Sequence, residues 1–250
     1  MNLSHTLVLV TRPEPQAQAL TDAIKKANGQ AWSMPMLNID AIPETQAMRD
    51  CLLSLDQFDR IIVTSRPAAK LGMELIEQYW PQLPIHSQWF AIGSSTASEL
   101  GHYDVRSQFS ENGVDSEALL ELDTFSKVES EKLLIIKGIG GRGLLEEQLN
   151  NLGARVQTLE VYQRSRPVYE RNAVVKKLES NSINVILCGS GETLTNLGYY
   201  LPMPYRADYR LLVPSERVAR QAHSLGFQKV TNTRGASNEV MLQALEAVRE

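Results

Sequence analysis

A chain of 250 residues is long enough for one large domain or for two of about half that size. Its composition, 43% apolar and 22% charged, is that of an ordinary folded protein, and a net charge of -4 gives no basic footprint for nucleic acid. A small anionic ligand is not excluded, because a few local arginines can dominate one site whatever the total charge.

In chain order, strand and helix signals alternate. "TLVLV" at 6–10 is a short apolar, β-rich run. Residues 15–29 follow with Ala19, Leu20, Ala23, Ile24 and Ala27 at helical spacing, and Gly29 is the expected C-cap. "AWSMP" at 31–35, "RIIVT" at 60–64, "WFAIG" at 89–93, "KLLII" at 132–136, "NVILC" at 184–188 and "RLLVP" at 210–214 repeat the strand theme, with helical patterns between most of them. Such alternation predicts an α/β fold with doubly wound parallel sheets, helices covering both faces. No stretch approaches the length of a membrane-spanning helix, and the run Leu7 to Val10 is too short for a secretion signal. Cys51 and Cys188 form no C-x-x-C motif. A reducing, cytoplasmic setting is therefore expected. His5, His86, His102 and His223 are scattered without ligand spacing, so no metal site is expected.

The second half repeats the first. "TLVLVTRPEPQAQAL" answers "KLLIIKGIGGRGLLEEQL", "RIIVTSRPAAKLG" answers "NVILCGSGETLTNLG", and "GVDSEALLEL" answers "GASNEVMLQAL". The offset hardly changes along the chain: Leu7 matches Leu133, Ser65 matches Ser190, and Glu117 matches Glu239. A constant offset over several segments implies two similar domains.

"KGIGGRGLL" after an apolar run, with Glu160 about 20 residues on, has the parts of a dinucleotide fingerprint. The matching turn in the first copy, "TRPEPQ", contains no glycine, and Glu160 is matched by Met36. The shared element is thus strand, turn and helix N-terminus. A nucleotide-dependent enzyme remains one alternative, and a two-domain sensor of a small anion is another.

Taken together, "LVTRPEPQAQAL", "WFAIGSSTASEL", "LIIKGIGGRGLLEEQLNNLGARV", "LEVYQR" and "LLVPSERVARQA" resemble, in order and spacing over nearly the whole chain, the bacterial form of the uroporphyrinogen-III synthase family. The resemblance implies two α/β domains, residues 1–37 with 167–250 and residues 38–166, joined by the extended linkers "MLNIDAIP" and "EVYQRSRP", with a cleft between them. Pro43 and Pro167 suit the ends of edge strands. It also implies a cofactor-free, metal-free, monomeric enzyme. That enzyme would cyclise the linear tetrapyrrole hydroxymethylbilane with inversion of ring D and loss of water. Neither nucleic acid nor a membrane is an expected partner, and transient contact with the preceding pathway enzyme is compatible with this reading.

Within that resemblance Tyr162, in "VYQR", is the expected catalytic residue. Its phenol can hydrogen-bond the departing hydroxyl; on the residues alone, a packing tyrosine is the simpler account. Arg12 and Arg142 each open a helix after a strand and are candidate carboxylate ligands, with Arg66, Arg164 and Lys137 behind them. Gly138, Gly140 and Gly141 are expected to bring backbone N–H groups to substrate carboxylates. Ser65, Ser94, Ser95, Thr96, Ser190, Gly191 and Ser215 cluster at predicted strand ends, where a hydroxyl either caps a helix or binds substrate.

Overall fold

The computed structural model describes residues 2–113, 115–141 and 143–248. In chain order the elements begin β1 (Leu7–Val10), α1 (Gln16–Lys26), β2 (Gln30–Ser33), β3 (Asn38–Ala41), α2 (Gln46–Leu53), β4 (Arg60–Val63) and α3 (Arg66–Ile76). They continue β5 (Gln88–Ala91), α4 (Ser94–Gly101), β6 (Ser107–Gln108), α5 (Ser116–Leu120), β7 (Lys132–Gly138), α6 (Leu144–Asn151) and β8 (Arg155–Ser165). The last are α7 (Ala173–Ser180), β9 (Val185–Leu187), α8 (Gly191–Tyr200), β10 (Arg210–Val213), α9 (Glu216–Ser224), β11 (Lys229–Asn232) and α10 (Asn238–Ala247).

The chain divides into two compact units, residues 1–39 with 165–250 and residues 40–164. In the first, the strand order is β11-β10-β9-β1-β2, all parallel. In the second, β8-β7-β4-β5-β6 run parallel, and β3 lies beyond β8. Reading each unit from its own strand-helix-strand start, both sheets have the order 2-1-3-4-5. The repeat in the sequence is therefore a repeat of topology. β3 is an edge strand and Pro43 stands just past its end, but β8 is internal, so Pro167 does not follow an edge strand as expected.

Why these runs form buried strands is visible in their side-chain alternation. Leu9, Ile186 and Leu211 point to one face of the first sheet, where they meet Val174 and Leu178 of α7, Leu194 and Leu197 of α8, and Val218 of α9. Val8, Val10, Val185, Leu187 and Leu212 point to the other, against Leu20 and Ile24 of α1 and Met241 and Leu245 of α10. Because every second residue is apolar on each face, the strands read as continuous apolar runs. Burying one such Leu, Ile or Val contributes about 1.5–3 kcal/mol. In the second unit, Ile62, Phe90, Leu133 and Ile135 pack on Leu119 of α5 and Leu145 and Leu149 of α6. On the opposite face α3 lies so close to β7 that a Cβ at Gly72 would sit 2.8 Å from Ile136 Cγ2. Buried Arg60 stitches this unit together from below. Its guanidinium pairs with Glu131 at 2.5 Å and donates to Thr124 O at 2.8 Å, beside the rings of Phe90 and Phe125.

The end of α1 differs from the sequence reading. The C-cap is Ala27, and the left-handed residue is Asn28 with φ 65°, not Gly29. Gly29 is needed for space: a Cβ there would lie 2.7 Å from Ile24 Cγ2 and 3.2 Å from Ile24 O. Asparagine tolerates the left-handed region, which is why the chain turns one residue early. Gly29→Ala should therefore lower unfolding stability by about 1–3 kcal/mol, as overpacking does. Asn28→Gly should change it by less than about 1 kcal/mol, since the backbone there already has the glycine-like φ. Urea titration of the two variants distinguishes the two roles.

Candidate active site

In a sheet of order 2-1-3-4-5, the connections leaving the first and third strands go to opposite faces. A crevice opens between them, outside the strand C-termini. In the second unit those strands are β7 and β4. From β7 the chain enters α6 on one face, and from β4 it enters α3 on the other. A cavity of about 360 Å³ lies at that point. It is lined by Thr64 and Ser65 after β4, Lys137, Gly138, Gly140 and Gly141 at the end of β7, Glu146 of α6, and Thr158, Tyr162 and Arg164 of β8. Asp115, Ser116 and Glu117 at the start of α5 complete the wall.

Tyr162 is placed by three constraints. A β-bulge falls between Lys137 and Gly138: Lys137 pairs with Glu160, but Gly138 pairs with Tyr162, so Val161 is the extra residue. Bulges of this kind re-aim side chains. Next, the ring occupies the space that any side chain at 138 would need, because a Cβ on Gly138 would lie 2.4 Å from Tyr162 Cζ. Finally, Tyr162 Oη lies 3.1 Å from Ser65 Oγ. The residue is only 6% exposed, yet it borders the cavity, so its hydroxyl is held in an otherwise packed seat.

The glycine loop has a different logic from a dinucleotide turn. Gly140 and Gly141 have φ +78° and +88°, and a Cβ on either would meet nothing within 4 Å. Glycine is needed there for backbone conformation, not for close approach of a neighbour. Among the described residues, neither N–H is donated to a backbone acceptor. The first glycine of the motif, Gly138, is filled by Tyr162. Glu160, the supposed ribose ligand, sits inside β8, which runs on to Ser165, not at the strand tip where a ribose would lie. Arg142 falls outside the described residues. The cavity wall carries both signs of charge, Lys137 and Arg164 with Asp115, Glu117 and Glu146. Asp115 caps α5 by accepting the N–H of Ala118 at 2.9 Å.

The structure thus gathers Tyr162, Ser65, Gly138, Gly140 and Gly141 around one cavity. Ser94 and Ser95 are exposed in the first turn of α4, and Thr96 is buried; none of the three lines the cavity, though Ile92 just before them does. Arg12, Ser190, Gly191 and Ser215 belong to the first unit. There the side chain of Arg12, just past the end of β1, fills the equivalent crevice. It is 6% exposed, packs over Gly189, and donates to Asn238 Oδ1 at 2.8 Å and to Ala236 O at 2.6 Å. Burial lowers its pKa from the ordinary arginine value. Ser190 and Ser215 accept the N–H groups of Thr193 and Val218 as helix caps, and the Gly191 carbonyl accepts from Gln221. Sequence reasoning did not single out Thr64, Thr158, Glu146 or Asp115 to Glu117. The "GVDSEALLEL" repeat was the available signal for the last three, since it marks a helix start that returns to a strand end.

No thiol is poised for attack. Burial pushes Cys51 up to about 11 and Cys188 up to about 12. Among the described residues, no His, Cys, Asp and Glu cluster suited to a metal ion occurs. Nor, among the described residues, is any helix long and apolar enough to cross a membrane.

A family profile described as Uroporphyrinogen-III synthase HemD matches residues 18–243. The chain belongs to the uroporphyrinogen-III synthase family. Over 246 residues it is 32% identical to the uroporphyrinogen-III synthase of Salmonella typhimurium, covering 96% of this chain and 99% of that one. The Escherichia coli enzyme is 30% identical over 249 residues, with 96% and 99% covered. Among solved structures, uroporphyrinogen-III synthetase from Helicobacter pylori shares the fold at a TM-score of 0.62 and 11% identity, covering 97% of this chain and 99% of that one. A mutant uroporphyrinogen III synthase from Thermus thermophilus does so at 0.61 and 16%, covering 97% and 98%. These structural likenesses establish the two-domain α/β fold, and the sequence relatives establish the family and its place in tetrapyrrole biosynthesis.

The seat of Tyr162 gives a direct test. Gly138→Ala should force the ring out of place, shifting the ring resonances of Tyr162 in tyrosine-labelled NMR spectra. Gly141→Ala should leave those resonances in place and cost about 1–2 kcal/mol of stability, because only the backbone is strained.

Proposed function

We propose that this chain is a cyclising hydro-lyase that converts hydroxymethylbilane to uroporphyrinogen III, working as a cytoplasmic monomer without metal or cofactor. The observation that carries this reading is a phenol held by a glycine seat and a serine hydroxyl at the carboxyl ends of the sheet, in a member of this family. The two units serve as its domains, and transient contact with the preceding enzyme of the pathway is compatible with the reading.

A cavity of about 360 Å³ is at the small end of ligand pockets, about 300–1,000 Å³. It suits one pyrrole ring with its acid side chains, not a whole tetrapyrrole. Lys137, the N–H groups of Gly140 and Gly141, which meet no backbone acceptor among the described residues, and the N-terminal ends of α3 and α6 are the groups offered to carboxylates there. In the first unit, Arg12, Ser190, Gly191 and Ser215 stand at the equivalent strand ends. For Arg12 the proposed role is to hold the start of α10, through Asn238 and Ala236.

In the reaction, Tyr162 donates its proton to the hydroxyl of the hydroxymethyl group as the C–O bond breaks, and water leaves with the electron pair. The electrophilic methylene carbon is attacked by the substituted α-carbon of ring D, giving a spiro intermediate. The original bond to that carbon then opens, and the released methylene recloses on the free α-carbon. The proton lost from that carbon as the ring regains aromaticity returns to the phenolate. Atoms balance as substrate giving product and one water. Without guidance, closure at the free α-carbon is the direct route, so the protein's main contribution is to hold ring D for the other attack.

The test is an assay in which hydroxymethylbilane is supplied, the products are oxidised, and isomers I and III are separated by chromatography. Isomer III is the expected product, and isomer I alone would refute the reading. Tyr162→Phe should lower turnover about tenfold to a hundredfold while the fold persists, the range that modest acid catalysis allows. Incubation with EDTA, followed by the same assay, should leave the yield of isomer III unchanged; a loss reversed by one added metal would show a metal requirement.

A further inference from the structure

We propose that Ser65 fixes the direction of the Tyr162 proton, and so is a positioning residue for the ring closure described above, on whose reading this inference rests. Ser65 is the N-cap of α3, with φ -165° and ψ 160°, and its Oγ accepts the N–H of Ala68 at 3.3 Å. The same Oγ lies 3.1 Å from Tyr162 Oη, a distance at which either hydroxyl can donate. A serine hydroxyl carries one proton. With an acceptor position already taken by a helix N–H, and with the positive end of α3 facing it, Oγ is favoured as the donor. Among the described residues no other acceptor takes that proton. Ser65 therefore donates to Tyr162 Oη, and the phenol's own proton is presented to the cavity. In the reverse order the phenol would donate to Ser65 and have nothing to give a substrate.

The repeat supplies an independent observation. Ser190 caps α8 in the first unit as Ser65 caps α3 in the second. Three residues after Ser190 comes Thr193, whose hydroxyl lies 3.1 Å from Ser190 Oγ and accepts the Ser190 N–H at 3.0 Å. That capping box absorbs the serine hydroxyl within its own turn. Three residues after Ser65 comes Ala68, which has no hydroxyl. The same cap is thus left with its O–H unused by the helix, and Tyr162 is the group that receives it. When the Tyr162 proton passes to the departing hydroxyl and the C–O bond breaks, the Ser65 O–H stays bonded to the phenolate. It stabilises that oxygen until the ring D α-carbon returns a proton.

The experiment is steady-state kinetics with hydroxymethylbilane, resolving isomer III, on wild type, Ser65→Ala, Ser65→Thr, Ser65→Asp, Tyr162→Phe and the Ser65→Ala/Tyr162→Phe pair. Thermal unfolding is recorded for each. Ser65→Ala should lower kcat about tenfold with KM within about twofold. Ser65→Thr keeps both cap and donor, and should recover kcat to within about threefold. Ser65→Asp caps the helix as well as serine does but only accepts. It should keep the melting temperature and lose turnover at least as much as alanine. In the Tyr162→Phe background, Ser65→Ala should cause no further loss of kcat. Full turnover in Ser65→Asp, or losses that multiply in the double variant, would reduce Ser65 to a helix cap and overturn the proposal. A wild-type chain that forms no isomer III would overturn the functional reading and this inference together, and so is distinguishable from the failure of Ser65 alone.

Discussion

Leu9, Ile186 and Leu211 on one face of a parallel sheet, with Val8, Val185 and Leu212 on the other, are buried from water. Only Val185 keeps a trace of exposure. Burial on both faces is the constraint on which the remaining architecture depends. Each face must be covered by helices, and each helix must return the chain to the same end of the sheet to begin the next parallel strand. Polar chemistry is then confined to the sheet's two ends. The helices that directly follow parallel strands, such as α1, α3, α6, α8 and α9, begin at the carboxyl end, so unpaired N–H groups and positive dipole ends collect there. The cavity that holds Tyr162 is a consequence of this layout, placed where neighbouring connections diverge.

The two copies of the fold use that position in opposite ways. In the first unit the crevice is closed from within by Arg12, whose aliphatic stem packs over Gly189 and whose guanidinium is held by Asn238 and Ala236. In the second unit the end of β7 carries Gly138, and its lack of a side chain makes room for Tyr162, with a cavity beside it. Physically this agrees with close packing in protein interiors, where a side chain of that size either fills a crevice or leaves a void that must be occupied by something else.

The sheets were legible because strands buried on both faces have to be written as unbroken apolar runs, and the period of their recurrence reveals the repeat. Leu7, Leu133 and the runs around Ile61, Ile186 and Leu211 carry that signal by themselves. The end of α1 was not legible, because Asn28 and Gly29 both favour a helix stop and only packing against Ile24 tells them apart. Tyr162 was found through family resemblance. Its seat was not found, since the bulge between Lys137 and Gly138 changes the pairing by one residue without changing the composition of either strand. Arg12 reads in sequence like any arginine after a strand; its burial depends on Asn238, more than 200 residues away in the chain.

The same reasoning explains why a glycine motif that looks like a nucleotide loop serves another purpose. In a dinucleotide site, the first glycine admits a tight turn and the acid at the tip of the next strand receives a ribose. Here the next strand does not stop at Glu160. It continues through the bulge and delivers Tyr162 onto the first glycine. The strand's extra length therefore removes the place of the ribose and supplies the phenol in one step. What the loop keeps is Gly140, the motif's second glycine, with its neighbour Gly141, both at positive φ, whose N–H groups meet no backbone acceptor among the described residues. Such groups bind an anionic oxygen whether it belongs to phosphate or to carboxylate. The chemistry of the loop is thus general, and its specificity in this fold comes from the tyrosine that β8 brings beside it.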